Sequence, residues 1–392
     1  MEMVQCDSAL SYVVLSALFS GLVIHKIIRN KVKIENSAVS CLLSLLLLEI
    51  ICCCVLCSHL GLTLFILACA FYYISIPVRR MLPPQGKVVL ITGCDSGFGH
   101  ALAKHLDELG ALVYAGVLDK KGQGAKELRR VCSPRLSIIQ LDVTNPEQIK
   151  TAYNEIKSQV QDAGLWGIVH NAGVLGYMAD GELLPISVYK QCMDVNFIGV
   201  VQVTKIFMPL LRKAKGRLVT ISSMAGHTPI PGFAAYAASK AALSMFSAVM
   251  RQDLLKWSVK VSAIHPSGFK TNIFGSQEHW SSQDQNIQDN IMPDVKEDYG
   301  EEYLASLKDL HHTMSTVTSP DLSPVLEDVC HALLAQEPYV SYTPGQCAYL
   351  IPCLFHYFPL WVYDCFAKQT FQIHQNILPR SLRISKANNK TD

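Results

Sequence analysis

Between Lys87 and His265 short β-branched apolar runs alternate with stretches of helical periodicity, and this alternation limits the possible folds more than any other feature. Val88 to Thr92, Leu112 to Val117, Leu136 to Leu141, Gly167 to His170, Leu218 to Ser222 and Val259 to His265 read as strands, each followed by a helical pattern or a loop. Alternation of this kind predicts an α/β fold, a Rossmann-type doubly wound parallel sheet with helices on both faces. Pro77, Pro83, Pro84 and Gly86 stop any preceding helix, so this domain is expected to start near Lys87.

The residues before it suit a different solvent. Ala9 to Ile24 is apolar and uncharged, and Ala38 to Ile76 is interrupted only by Glu49 and His59. A spanning helix needs about 20 apolar residues, so one to three transmembrane helices fit within residues 1–80, the last two near 38–58 and 60–77. A cleaved signal peptide would need basic residues ahead of the first stretch, where Glu2 and Asp7 stand instead. Lys26, Arg29, Lys31 and Lys33 follow that stretch, which puts their loop in the cytoplasm by the positive-inside rule. One or three spans then face the catalytic domain to the cytoplasm and two to the lumen. The expected plan is an anchor at 1–80, a linker at 81–86, the core at 87–275, a substrate lid with a C-terminal aromatic segment at 276–375, and a flexible tail at 376–392.

The formal charge is +2 and no long basic block occurs, which argues against a nucleic-acid partner. Of 14 cysteines, seven precede residue 80 and the rest are scattered without paired zinc spacing, so they read as reduced and no metal site is expected.

The first strand runs into Thr92, Gly93, Cys94, Asp95, Ser96, Gly97, Phe98 and Gly99, then a helix from about His100 to Leu109. Glycines there let the backbone turn sharply and approach a pyrophosphate, which sits on the helix N-terminus. The ribose-gripping carboxylate expected after the second strand is at best Asp119, a few positions late. No Arg or Lys occupies 94–98 or 116–118 to hold a 2′-phosphate, which favours NAD over NADP. Asp142, at the end of the third strand, is placed to meet the adenine, although a helix-entry residue would look the same.

Tyr236 and Lys240 are four apart in a helical pattern and therefore share one face. Ser223 precedes Tyr236 by thirteen residues, at a strand end that opens into the ligand crevice. An alcohol that loses a hydride needs a base for its proton. Free tyrosine, with a pKa near 10, becomes one only if a neighbouring cation such as Lys240 or the nicotinamide ring stabilises the phenolate. Ser223 would hydrogen-bond the reacting oxygen.

With these residues in place, residues 86 to 275 resemble the short-chain dehydrogenases/reductases. The glycine loop, Asn171-Ala172-Gly173, Asn196, Ser223, Tyr236, Lys240 and the turn from Pro266 to Thr271 all match that family's motifs. The resemblance implies catalytic roles for Asn196, Ser223, Tyr236 and Lys240, with Asn196 holding a water relay to Lys240. It implies cofactor contacts from Thr92, Gly93, Asp95, Ser96, Gly97, Phe98, Gly99, Asp142, Val143, Asn171, Ala172, Gly173, Tyr236, Lys240, Pro266 and Thr271, and substrate contacts from Ser223 and Tyr236. Within the family the likeness is greatest to members that oxidise 17β-hydroxysteroids with NAD from an endoplasmic reticulum anchor. An apolar steroid, a lipid membrane and self-pairing into a homodimer are the partners so implied. His170 and Ser267 depart from the family pattern, which has asparagine and glycine there.

Retinol and 11β-hydroxysteroid dehydrogenases share the constellation. A hydroxybutyrate dehydrogenase should carry a basic transit peptide, and a noncatalytic NAD sensor should lack Tyr236 or Lys240. The tail aromatics from Tyr339 to Phe371 are read as core, lid or membrane interface.

Overall fold

Apolar runs pair into one sheet, each within a residue of its expected bounds: β1 Val88–Ile91, β2 Leu112–Val117, β3 Leu136–Gln140, β4 Gly167–His170, β5 Arg217–Ile221 and β6 Lys260–Ile264. The computed structural model describes residues 14–15, 17–19, 21–22, 58–75, 80–275, 277–307, 318–370 and 377–388. A seventh strand, β7 Ser341–Tyr342, which the sequence pattern does not mark, joins β6. All neighbours are parallel and the order is β3-β2-β1-β4-β5-β6-β7. Strand order reverses between β1 and β4, so the crevice opens above the C-terminal ends of those two strands.

Side-chain alternation sorts the sheet into two cores. Val89 and Ile91 point to the layer that holds helices Gly97–Glu108 and Ser323–Leu334. Leu90 and Ile168 point to the layer of helices Pro146–Val160 and Gly199–Lys213. Both faces are covered, which is why every residue of β1, β4 and β5 is buried. Among the described residues one helical stretch, Ile186–Lys213, is long and apolar enough to cross a membrane. It belongs to the second of these layers, with Val203, Phe207 and Leu211 completely buried.

The chain divides into two units, 1–82 with 335–337, and 83–334 with 338–392. Within the first, Ser58–Ser75 forms an 18-residue helix that holds no Asp, Glu, Lys or Arg. The span expected near 38–58 lies outside the described residues apart from its last residue.

Candidate active site

The helix after β1 begins at Gly97, inside the glycine loop and three residues earlier than its periodicity suggests. Its first turn has no acidic residue and no side-chain cap, so its N–H groups are left for a ligand. Gly97 has φ +58°. A Cβ on Gly99 would stand 2.3 Å from the Gly93 carbonyl oxygen and 2.4 Å from Asn171 Nδ2, so glycine is required there. Asn171 Nδ2 donates to the carbonyls of Thr92 and Gly93, both at 2.9 Å, while the N–H groups of Asn171 and Ala172 donate to Thr92 Oγ1. Thr92 and Asn171 thus tie the β1 loop to the β4 loop.

A cavity of about 1330 Å³ runs from this loop across the strand ends. Gly93, Asp95, Ser96, Gly97, Phe98, Asp142, Val143, Asn171, Ala172 and Gly173 line it, together with Ser223, Tyr236, Lys240, Pro266 and Thr271. Thr92, Gly99 and Asn196 are not on its wall. Thr92 and Gly99 support the loop from beneath, and Asn196 is fully buried in a π-helical turn, Asp194–Ile198. Asn196 Oδ1 accepts from the Val174 N–H at 2.8 Å, and its Nδ2 donates to the Val174 carbonyl and to Ser239 Oγ. A Cβ on Gly173 would lie 3.1 Å from Asn196 Oδ1 and 3.4 Å from Lys240 Nζ, so this glycine keeps open the space between carboxamide and ammonium.

Ser223 stands just past β5 and its Oγ accepts from the Ala225 N–H at 3.2 Å. Helix Ala234–Leu254 presents Tyr236 and Lys240 side by side, with Lys240 Nζ 5.7 Å from the centre of the Tyr236 ring. Lys240 Nζ donates to the Ile221 carbonyl at 2.8 Å, which fixes it at the end of β5. Burial dominates both titrations: it lowers Lys240 to about 8 and raises Tyr236 to about 12, against the pull of a hydrogen bond from Ser223. The sequence argument expects a lowered tyrosine, so the protein alone sets the position of the phenol and leaves part of the charge stabilisation to what binds beside it.

His265, buried at the end of β6, lies against the Ser223 backbone, a contact the sequence gives no hint of. Asp95 was expected as a cofactor contact; its carboxylate also accepts from the Leu118 N–H at 3.0 Å and clamps the loop to the end of β2. Asp119 is not on the wall and instead accepts from the Lys121 N–H. The two family departures are accommodated. His170 Nε2 bonds Thr204 Oγ1 at 2.8 Å, with burial holding the ring neutral and its pKa near 3. Ser267 fits because residue 345 is glycine, where a Cβ would come within 2.1 Å of Ser267 Oγ.

The far part of the wall is largely apolar and comes from distant segments, including Leu175, Val195, Ile230, Phe274 and Ile351. Among the described residues no group of three or more His, Cys, Asp or Glu side chains could hold a metal ion.

A glycine-bounded helix N-terminus, a strand-end cavity and a half-buried serine with a buried tyrosine and lysine define an oxidoreductase that uses a nicotinamide dinucleotide. The chain belongs to the short-chain dehydrogenase family, whose model matches residues 87–282. It is 50% identical to 17-beta-hydroxysteroid dehydrogenase type 2 of Homo sapiens over 85% of this chain and 86% of that protein. It is 51% identical to estradiol 17-beta-dehydrogenase 2 of Rattus norvegicus, covering 84% and 87%. The similarity to 11-beta-hydroxysteroid dehydrogenase type 2 of Oryctolagus cuniculus is 42%, covering 78% and 74%. A short chain dehydrogenase from Burkholderia cenocepacia J2315, solved in complex with NADP, shares the fold with a TM-score of 0.55 at 21% identity, over 72% of this chain and 98% of that one.

Proposed function

We propose that this enzyme oxidises the 17β-hydroxyl of steroids to the ketone, with NAD as oxidant, at the endoplasmic reticulum membrane. The observation that carries the reading is the Ser223, Tyr236 and Lys240 cluster facing a cavity whose far wall is apolar. The half-identity to 17β-dehydrogenases over most of both chains supports this substrate over an 11β-hydroxysteroid, whose dehydrogenases match less closely.

Ser223 Oγ donates to the substrate oxygen and Tyr236 takes its proton as the carbinol carbon is oxidised. A nicotinamide held against this wall would supply the hydride acceptor and a positive charge that favours the phenolate. Lys240, held on the Ile221 carbonyl, adds the second charge. Asn196, whose Oδ1 borders the same opening as Lys240 Nζ, holds the relay that returns the proton to solvent. Gly93, Gly97, Asn171 and Thr271 shape the cofactor half of the wall.

The choice of NAD rests on charge. Among the described residues Lys240 is the only Lys or Arg on the wall, and it lies at the catalytic end. The wall toward the second and third strands carries the carboxylates of Asp95 and Asp142, which disfavour a 2′-phosphate. The exposed Met245 and Val249 on helix Ala234–Leu254 support pairing of two copies. The apolar helix Ser58–Ser75, which holds no Asp, Glu, Lys or Arg and exposes Leu67, Phe71 and Ile74, supports anchoring at a bilayer.

The test is kcat/KM for a steroid 17β-alcohol, an 11β-alcohol and retinol, each with NAD and with NADP. A preference above tenfold for the 17β-alcohol and for NAD, about 1.4 kcal/mol each, is expected. A tenfold preference for NADP would mean that Lys120 or Lys121 reaches the phosphate, and preference for another alcohol would reassign the substrate.

A further inference from the structure

A run of three or four exposed apolar residues is unfavourable in water unless something covers it. Five stand in succession from Tyr357 to Trp361, at the turn between helices Leu350–Tyr357 and Leu360–Thr370. Tyr357 is 81% exposed and Trp361 68%, and Leu350, two turns before Tyr357 on the same helix face, is 66% exposed. The opposite faces are fixed: Ile351 and Tyr363 are buried with Met224, and the Tyr363 hydroxyl donates to the Pro229 carbonyl. This tip is therefore held in place by the domain beneath it.

Charge and composition indicate the occupant. Residues 338–363 contain no Asp, Glu, Lys or Arg. Residues 364–392 carry Lys368, Arg380, Arg383, Lys386 and Lys390 against Asp364 and Asp392, a balance of 5 − 2 = +3 in a chain whose total is +2. Tyrosine and tryptophan suit the headgroup level of a bilayer, and a cation close to its surface, such as Lys368 on the same helix as Trp361, adds about 1 kcal/mol of attraction to an anionic leaflet. Helix Leu350–Tyr357 also has its buried side on the cavity: Ile351 lines it, next to the exposed Gln346 and Cys347 at its mouth.

We propose that the Leu350–Thr370 hairpin seats its apolar tip in the headgroup region of an anionic lipid bilayer, so that the cavity mouth opens at the membrane and receives its apolar alcohol from the lipid. Substrate uptake rests on the proposed steroid reading; the seating itself does not.

None of the four tryptophans, Trp166, Trp257, Trp280 and Trp361, lies in the first 80 residues, so the N-terminal segment contributes no tryptophan signal. The full chain is reconstituted into vesicles of phosphatidylcholine and phosphatidylserine, with and without brominated acyl chains, and its fluorescence is compared with that of Trp361→Phe. Bromolipid is expected to quench the wild type, and most of that quenching should disappear in Trp361→Phe. A Trp361 signal quenched by aqueous iodide and not by bromolipid places the tip in water and overturns the proposal. A signal that neither quencher reaches means protein, such as a second copy, covers the tip, and overturns it too. In the same vesicles the combined Leu350→Ser, Tyr357→Ser and Trp361→Ser variant should raise KM for the steroid at least about threefold with kcat nearly unchanged. An unchanged KM overturns uptake from lipid. Absence of steroid turnover in the wild type defeats the substrate reading and leaves the quenching result to decide the seating.

Discussion

The two ends of the cavity are built from different materials. Backbone makes the cofactor end: a glycine loop, the Asn171 turn and the ends of β1 and β4, locked by hydrogen bonds that leave no room for a methyl group on Gly99. Side chains make the substrate end, contributed by segments from Leu175 to Ile351. A backbone-built end tolerates little change in residue type, whereas a side-chain-built end can be recut without disturbing the chemistry. Reaction type and substrate choice are thus separable in this molecule.

The sharpest test removes the atom at which the two ends meet. Tyr236→Phe should lower kcat by about 10² to 10⁴, the usual contribution of general acid–base catalysis, while the cofactor Kd from fluorescence titration stays within about twofold. Residual activity above a few per cent would mean another group takes the proton. Gly99→Ala comes next. Its Cβ collides with the Gly93 carbonyl, so the cofactor Kd should rise about tenfold or more, equal to 1.4 kcal/mol, with the steroid KM measured at saturating cofactor little changed.

A third test probes the frame under the cofactor end. His170 holds a pKa near 3 in the fold against 6.5 free, so between these values the unfolded chain binds a proton that the native state does not. Stability must then fall as pH drops through that window, by up to about 1.36 kcal/mol per pH unit from this residue. His170→Asn should flatten the acid limb of a denaturation-versus-pH curve by about that slope. An unchanged slope would show that His170 is not the group responsible. The smallest effect belongs to the far wall: Phe274→Leu should move the steroid KM by a few-fold, about 1 kcal/mol, with cofactor Kd and kcat unchanged. A change in cofactor Kd there would break the division between the two ends.

Much of the cofactor end is legible in the sequence because its signals are local. Gly93 to Gly99 follows an apolar strand, and Tyr236 and Lys240 share a helix face through spacing alone. What escaped reading depends on partners far along the chain. Asp95 clamps the Leu118 N–H, Ser239 supports Asn196, and His265 lies against Ser223, yet each pair is brought together only by the sheet. The direction of the Tyr236 shift also escaped, since burial is a property of the assembled domain. In the tail, spacing could not sort the aromatics: Tyr342 and Tyr363 prove buried, while Tyr357 and Trp361 face outward. β7 is two residues long, too short for any alternation to register.

That short strand has a consequence for synthesis. Residues 341–342 close the free edge of β6, and the Tyr342 hydroxyl accepts from the Tyr339 N–H and bonds His331 Nδ1, so the sheet edge is finished by residues about 77 positions downstream of β6. Until those residues leave the ribosome, the nascent chain presents the open rim of β6, a template for pairing with other chains. Truncations anywhere before residue 341 should therefore yield aggregates rather than a smaller soluble enzyme.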